Sequence, residues 1–328
     1  MFLEQGTKLQ NKFWKYLLGS LLIFVGLSIG QILISLIVFL TASVNLTKLP
    51  NTANGSLGAL SPNIVLLLFL IVYTAALTAI YFVSRYLHNQ TWQSLITSRT
   101  EIDWRRIFFS FGLCTTFSIV FYCFLIYFWP DEQVFIFKPL AFAIYFIIII
   151  CLSFLRAFTE QVVYCGYLMQ GFANLSANRW FPMIMVAVIS SLVYITHPEI
   201  GAKGYITMFF FQLIYALFFC VLTLMDEGIE LAIGFYTATL LITQCFWTSD
   251  DTAIKTASLF MTLNHDHPET GIGLENIVER LIIIPIFLLI CSKKYGWANW
   301  KQKLLGQIEV LPIVKAIEKY PDTIQSEH

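Results

Sequence analysis

Thr159-Glu160-Gln161-Val162-Val163-Tyr164-Cys165-Gly166-Tyr167-Leu168 sets a carboxylate and an amide side by side just after Leu140 to Leu155, an apolar run suited to hydrocarbon. An ionisable group at the centre of a membrane helix costs on the order of 3 kcal/mol on insertion scales, so it ordinarily faces the protein interior or a wet cavity and points to function. On an α-helix Glu160, Tyr164 and Tyr167 share one face through i, i+4 and i, i+3 spacing, with Gln161 and Cys165 on the neighbouring face. Two readings are open at this point. The stretch is either the remnant of an intramembrane active site or a polar helix end near the cytoplasmic surface that packs against Arg156.

The composition decides the class of protein. Of 328 residues, 58% are hydrophobic and 12% charged, where a soluble domain carries roughly 25% charge. This is the balance of a polytopic membrane protein. The formal net charge is zero, which gives no support for nucleic-acid binding. Seven cysteines (Cys114, Cys123, Cys151, Cys165, Cys220, Cys245, Cys291) all fall in apolar segments and form no C-x-x-C pair. They read as small hydrophobes rather than as a disulfide framework or metal site.

A helix needs about 20 mostly apolar residues to cross the bilayer core. That rule gives eight spans, at residues 16–40, 64–83, 107–129, 140–157, 180–195, 205–225, 231–248 and 277–291, of which the fifth and eighth are short. The fold expected is therefore an all-α polytopic bundle: N-terminal membrane helices over 1–139, a membrane core over 140–305 and a tail over 306–328. The first run is too long for the 7–15-residue core of a signal peptide and is expected to stay as a membrane helix. Lys8, Lys12, Lys15, then Arg85, Arg99, Arg105 and Arg106, then Arg156 and Arg179, then Lys293, Lys294, Lys301 and Lys303 fall on one side; the alternate connections hold Lys48, Lys138, Lys203 and Lys255. The bias places both termini in the cytoplasm. Trp104-Arg105-Arg106 and Trp297-Ala298-Asn299-Trp300-Lys301 mix tryptophan with cations beside a span, as stretches at headgroup level do. No internal repeat is visible, which counts against a transporter.

The opening stretch resembles the first motif of the CAAX prenyl protease and bacteriocin-processing family (CPBP, also called Abi) of intramembrane endopeptidases. That motif is Glu-Glu-x-x-x-Arg followed by Gly-Tyr-Leu, and the frame here reads Glu160-Gln161-Val162-Val163-Tyr164-Cys165-Gly166-Tyr167-Leu168. Gln170-Gly171-Phe172, Asn178-Arg179-Trp180-Phe181-Pro182, Pro198-Glu199-Ile200-Gly201 and the run Met225 to Gly234 look like the blocks around the later motifs of bacterial members. The resemblance implies a bacterial inner-membrane protein. It also implies that Glu160 occupies the position of the glutamate that activates water with a histidine, while a second histidine and an asparagine hold the oxyanion. Carried over by position, the motif falls on Glu160, Gln161, Cys165, Tyr194, Tyr236 and Leu240, so five of six positions are substituted. A frame anchored on the histidine itself would instead put Val193 and His197 in the second motif.

A general base contributes about 10²–10⁴-fold, and a phenol with a pKa near 10 cannot share that task as imidazole does. An oxyanion donor is worth about 10²–10³ in rate; Tyr236 keeps an O–H, while Leu240 offers nothing. Loss of charge at both Gln161 and Cys165 avoids leaving a buried ion unpaired. The function expected is therefore that of a pseudoprotease, binding a peptide or a partner's transmembrane helix in the bilayer, with no cofactor and no metal. The alternative is a divergent working endopeptidase that uses Glu160 with His197 and Tyr236. His197, before Pro198-Glu199, also suits a helix terminus. His265-Asp266-His267 lies in an acidic external loop without a third ligand at a defined spacing. Asp226, Glu227 and Glu230 read as charged caps on helix ends.

Overall fold

Where no water is at hand, each backbone N–H and C=O must bond within its own segment, so apolar runs of this length become helices. The computed structural model describes residues 1–7, 13–44, 61–128, 133–176, 178–195, 204–249, 256–262 and 279–308. Its helices are α1 (Glu4–Thr7), α2 (Phe13–Val44), α3 (Pro62–Phe82), α4 (Trp92–Ile96), α5 (Trp104–Phe128), α6 (Pro139–Gln161), α7 (Met169–Ala173), α8 (Trp180–Tyr194), α9 (Tyr205–Asp226), α10 (Glu230–Phe246), α11 (Ile284–Tyr295) and α12 (Trp300–Leu305). Single π-helical stretches extend α3 through Val83–Leu87, join α6 to α7 through Val162–Leu168, and precede α11 at Glu279–Ile283.

Five helical stretches are long and apolar enough to cross a membrane: Phe13–Ile37, Pro62–Leu87, Trp104–Phe128, Pro139–Ala173 and Tyr205–Asp226. They coincide with the first, second, third, fourth and sixth of the expected spans. The helices at the fifth and seventh positions, α8 and α10, have 15 and 17 residues, about 22 and 26 Å at 1.5 Å per residue, short of a bilayer core of about 30 Å. α2 turns Leu17, Leu21, Leu22, Phe24, Ile29 and Ile32 outward, all more than 40% exposed. A continuous apolar surface of this extent suits lipid, not water.

The fourth span is longer than the expected 140–157: α6, the π stretch and α7 run unbroken from Pro139 to Ala173, 35 residues or about 52 Å. Nothing between Arg156 and Leu168 breaks a helix, and the π stretch absorbs the change of aim without ending it. Outside the helices, β1 (Gln133–Phe135), β2 (Trp247–Ser249) and β3 (Phe260–Thr262) form a small sheet in the order β1-β3-β2, antiparallel then parallel. It ties the far ends of α5, α6 and α10 together.

The largest core cluster runs from Phe2 to Ile308, with smaller ones around Tyr145 and Ile149 and around Ile34 and Val72. Phe2 and Leu3 are buried within the largest, and the backbone N–H of Phe2 donates to Glu227 Oε2 at 2.7 Å. Arg179, itself buried, donates to Glu4 at 3.0 Å. At the end of α3 the imidazole of His88 meets the hydroxyl of Tyr167 at 2.8 Å and lies against the ring of Tyr16, centroids 4.2 Å apart. Burial, with a smaller push from Lys15, lowers the His88 pKa from the usual 6.5 to about 4. The folded protein thus holds this imidazole neutral where the unfolded chain would take up a proton. Stability is unaffected above about pH 6.5 and falls as pH drops from there toward 4. Melting temperatures recorded across that window should decline more steeply for the parent than for His88→Gln, which has no proton to gain.

Candidate polar recess around Glu160

Along the inner face of α6 the residues Tyr145, Ile149 and Leu152 follow one another at helical spacing and are buried. Arg156 and Glu160 continue the same stripe, but their side chains are 28% and 27% exposed. The two partly exposed side chains are paired at the centre of what is here termed the polar recess: Arg156 Nε donates to Glu160 Oε1 at 2.8 Å. The second carboxylate oxygen accepts from the hydroxyl of Tyr236 on α10, at 2.7 Å. Glu160 and Tyr236 are thus brought together across 76 residues of sequence.

Two further phenols belong to the cluster. Tyr164 follows Glu160 by one turn, and Tyr73 of α3 packs beside the buried stripe of α6. Both lie close enough to Arg156 and Glu160 to interact with them electrostatically. All three tyrosines are half-buried.

The helix carrying Glu160 is held in place just beyond it. Gly166, in the π stretch, faces the carbonyl of Leu95, and a Cβ there would stand 2.6 Å from that oxygen. Only glycine lets α4 approach so closely. π-helical turns of this kind recur at functional sites. α10 is seated on α5 by a second close approach at Gly234, and Ser110 Oγ donates to the Leu231 carbonyl at 2.5 Å. The ring of Tyr236 packs against Phe219, centroids 5.4 Å apart, and Tyr215, at 6.3 Å. These neighbours fix where its hydroxyl points.

The remaining family positions lie as follows. Gln161 is buried, and its Oε1 has no hydrogen-bond partner among the described residues. Cys165 is buried, with Cys220 of α9 nearby. Leu240 sits one turn beyond Tyr236, half-buried. Tyr194 is half-buried at the last turn of α8, and Val193 is exposed. His197, Pro198-Glu199 and His265-Asp266-His267 lie outside the described residues.

At the junction of α9 and α10, Asp226 and Glu230 stand at helix ends as expected, but they are buried rather than turned to solvent. Their side chains are 1% and 0% exposed, and they form a network with two arginines. Arg99 donates to both Glu230 oxygens at 3.1 Å and to Asp226 Oδ2 at 3.2 Å. Arg106 donates to Asp226 and, at 3.1 Å, to Asp103, and its guanidinium lies 4.0 Å over the Tyr295 ring. Lys303 stands 3.6 Å from Glu227. The tight turn between α9 and α10, with Glu227 in the left-handed region at φ 58°, carries these carboxylates inward to meet Arg99 of the α4–α5 connection and Arg106 of the first turn of α5. Hydropathy gives no sign of that closure.

No protein-family model and no solved structure matches the chain. Among curated proteins it is similar to one from Bacillus subtilis (strain 168), named "Uncharacterized protein YyaK", with 24% identity over 264 residues, 79% of this chain and 86% of that protein.

Proposed function

We propose that this chain is a multi-pass membrane protein with the architecture of CPBP endopeptidases. Its eight apolar segments would cross a bacterial inner membrane with both termini cytoplasmic, and residues 140–305 would form the family-like core. On this reading the protease chemistry has been lost. The recess around Glu160 serves instead to bind a peptide or the transmembrane helix of a partner.

One observation carries the reading: both oxygens of Glu160 are already engaged, one by the Arg156 guanidinium and one by the Tyr236 phenol. A water molecule to be activated would have to displace one of them. The group opposite the carboxylate is a phenol, which does not exchange protons near neutral pH as imidazole does. Gln161 and Leu240 supply no charge to the site. Protein purified in detergent and presented with a panel of membrane and prenylated peptides is expected to release no product beyond that of Glu160→Ala. Cleavage that Glu160→Ala abolishes would overturn the proposal and restore a working endopeptidase.

A further inference from the structure

The hydrogen-bonding capacity of the recess is unequally used. Arg156 spends only its Nε on Glu160; its two terminal amines make no hydrogen bond among the described residues. The hydroxyls of Tyr73 and Tyr164 make none either. Yet all three side chains are partly open, and they come from two helices around one carboxylate. Glu160, meanwhile, already accepts at each oxygen. What the recess presents is a guanidinium fork and phenolic O–H groups, all donors, lying beneath an apolar stripe of Tyr145, Ile149 and Leu152.

A planar fork with two parallel N–H groups fits an oxyanion in bidentate fashion, and charge assistance makes such hydrogen bonds about twice as strong as neutral ones. The charge count limits the ligand. Arg156 and Glu160 cancel, so a singly charged oxyanion leaves the recess at one net negative charge, whereas a dianionic phosphate would leave it at two in a weakly screened site. The recess lies among spanning helices, so a ligand that reaches it from the bilayer carries an apolar tail.

We propose that the recess binds the singly charged oxyanion head of an amphiphile, held by the terminal amines of Arg156 and the hydroxyls of Tyr73 and Tyr164. The chemistry is shared by a long-chain carboxylate and by a phosphodiester lipid. The proposal rests on the recess being a binding site and makes an amphiphile its occupant in place of a peptide or partner helix; it does not depend on whether Glu160 can still drive cleavage, which the peptide assay reads separately.

The test uses the full chain in phosphatidylcholine nanodiscs, with oleate, phosphatidylglycerol and methyl oleate as probes and binding followed by the shift in thermal unfolding. Oleate, phosphatidylglycerol or both are expected to bind saturably, and which of them does so identifies the source of the head group. Methyl oleate, which has the tail without the charge, is expected not to bind. The Tyr73→Phe, Tyr164→Phe double variant keeps the shape and charge of the recess and should bind about tenfold more weakly or worse. Arg156→Lys, which keeps the charge and loses the fork, should weaken binding as well. Equal binding by the parent and the double variant, binding of methyl oleate as tight as that of oleate, or no binding of either charged probe would overturn the assignment.

Discussion

Arg99→Met is expected to destabilise the protein by about 3–5 kcal/mol, the usual cost of removing one partner from a buried ion pair and leaving the other charge behind. Among the described residues Arg99 is the neutralising partner of Glu230, whose side chain is 0% exposed and which also accepts from the backbone N–H of Asp103 at 3.4 Å. It also binds the carbonyl and the carboxylate of Asp226. Methionine keeps the length and apolar stem of the side chain, so the loss reports the guanidinium rather than a cavity. Arg105, two residues before Ile107 on the same helix, is exposed and offers the contrast. Arg105→Met should change stability by no more than about 0.5 kcal/mol. Chemical unfolding in detergent, followed by circular dichroism, measures both. Equal stability of the two variants would mean that water reaches Glu230 and that the network is a surface feature after all. Arg106→Met should fall between them, because Asp226 would retain Arg99.

That network also marks the limit of what the chain discloses before it folds. Apolar runs of about 20 residues announce the long helices, because lipid-suited composition and backbone self-sufficiency are both local properties. The short helices α8 and α10 are apolar as well, but composition does not fix how far a 15- or 17-residue helix reaches across a bilayer. Composition alone ends the fourth span near Ala157, because Arg156 and Glu160 read as the polar border of a membrane segment. They are instead an i, i+4 pair inside a helix that carries on. That pair itself was legible from spacing. The meeting of Glu160 with Tyr236 was foreshadowed only by the family resemblance, since nothing local links residues 76 apart. Tyr73 left no trace: one phenol among leucines looks like any half-buried aromatic until α3 is set beside α6. The Arg99–Glu230 pairing spans 131 residues. Before folding, Asp226 and Glu230 read as charged caps on helix ends, and only the packing of α5 on α10 shows that they are buried.

Gly234 is where that packing becomes tightest, and substituting it should disturb fold and recess together. A Cβ at this position would meet the carbonyl of Ile107 at a distance no real side chain adopts, with Ser110 Cβ at 2.9 Å and the Ile107 carbonyl carbon at 3.0 Å. Two of these atoms are backbone, so relief requires α10 to move off α5 as a unit. Gly234→Ala is expected to cost about 1–3 kcal/mol, as overpacking does, and Gly234→Val more. Gly112 on α5 provides the opposite case: a Cβ there meets nothing within 4 Å, so Gly112→Ala should stabilise by up to about 1 kcal/mol through helix propensity alone. The recess feels the movement because Tyr236 follows Gly234 by two residues on the same helix. A shift of about 1 Å lengthens its 2.7 Å bond to Glu160 beyond useful range. A double-mutant cycle of Tyr236→Phe with Glu160→Gln, read by unfolding stability, should give a coupling of about 1.5–3 kcal/mol in the parent, as expected of a hydrogen bond to a charged group. In the Gly234→Ala background the same cycle should give a coupling near zero. If the coupling survives there, α10 is relieving the contact by bending locally rather than by moving as a rigid body. The absence of a side chain at residue 234 would then matter to stability alone, and the position of Tyr236 would be set by its aromatic neighbours Phe219 and Tyr215 instead.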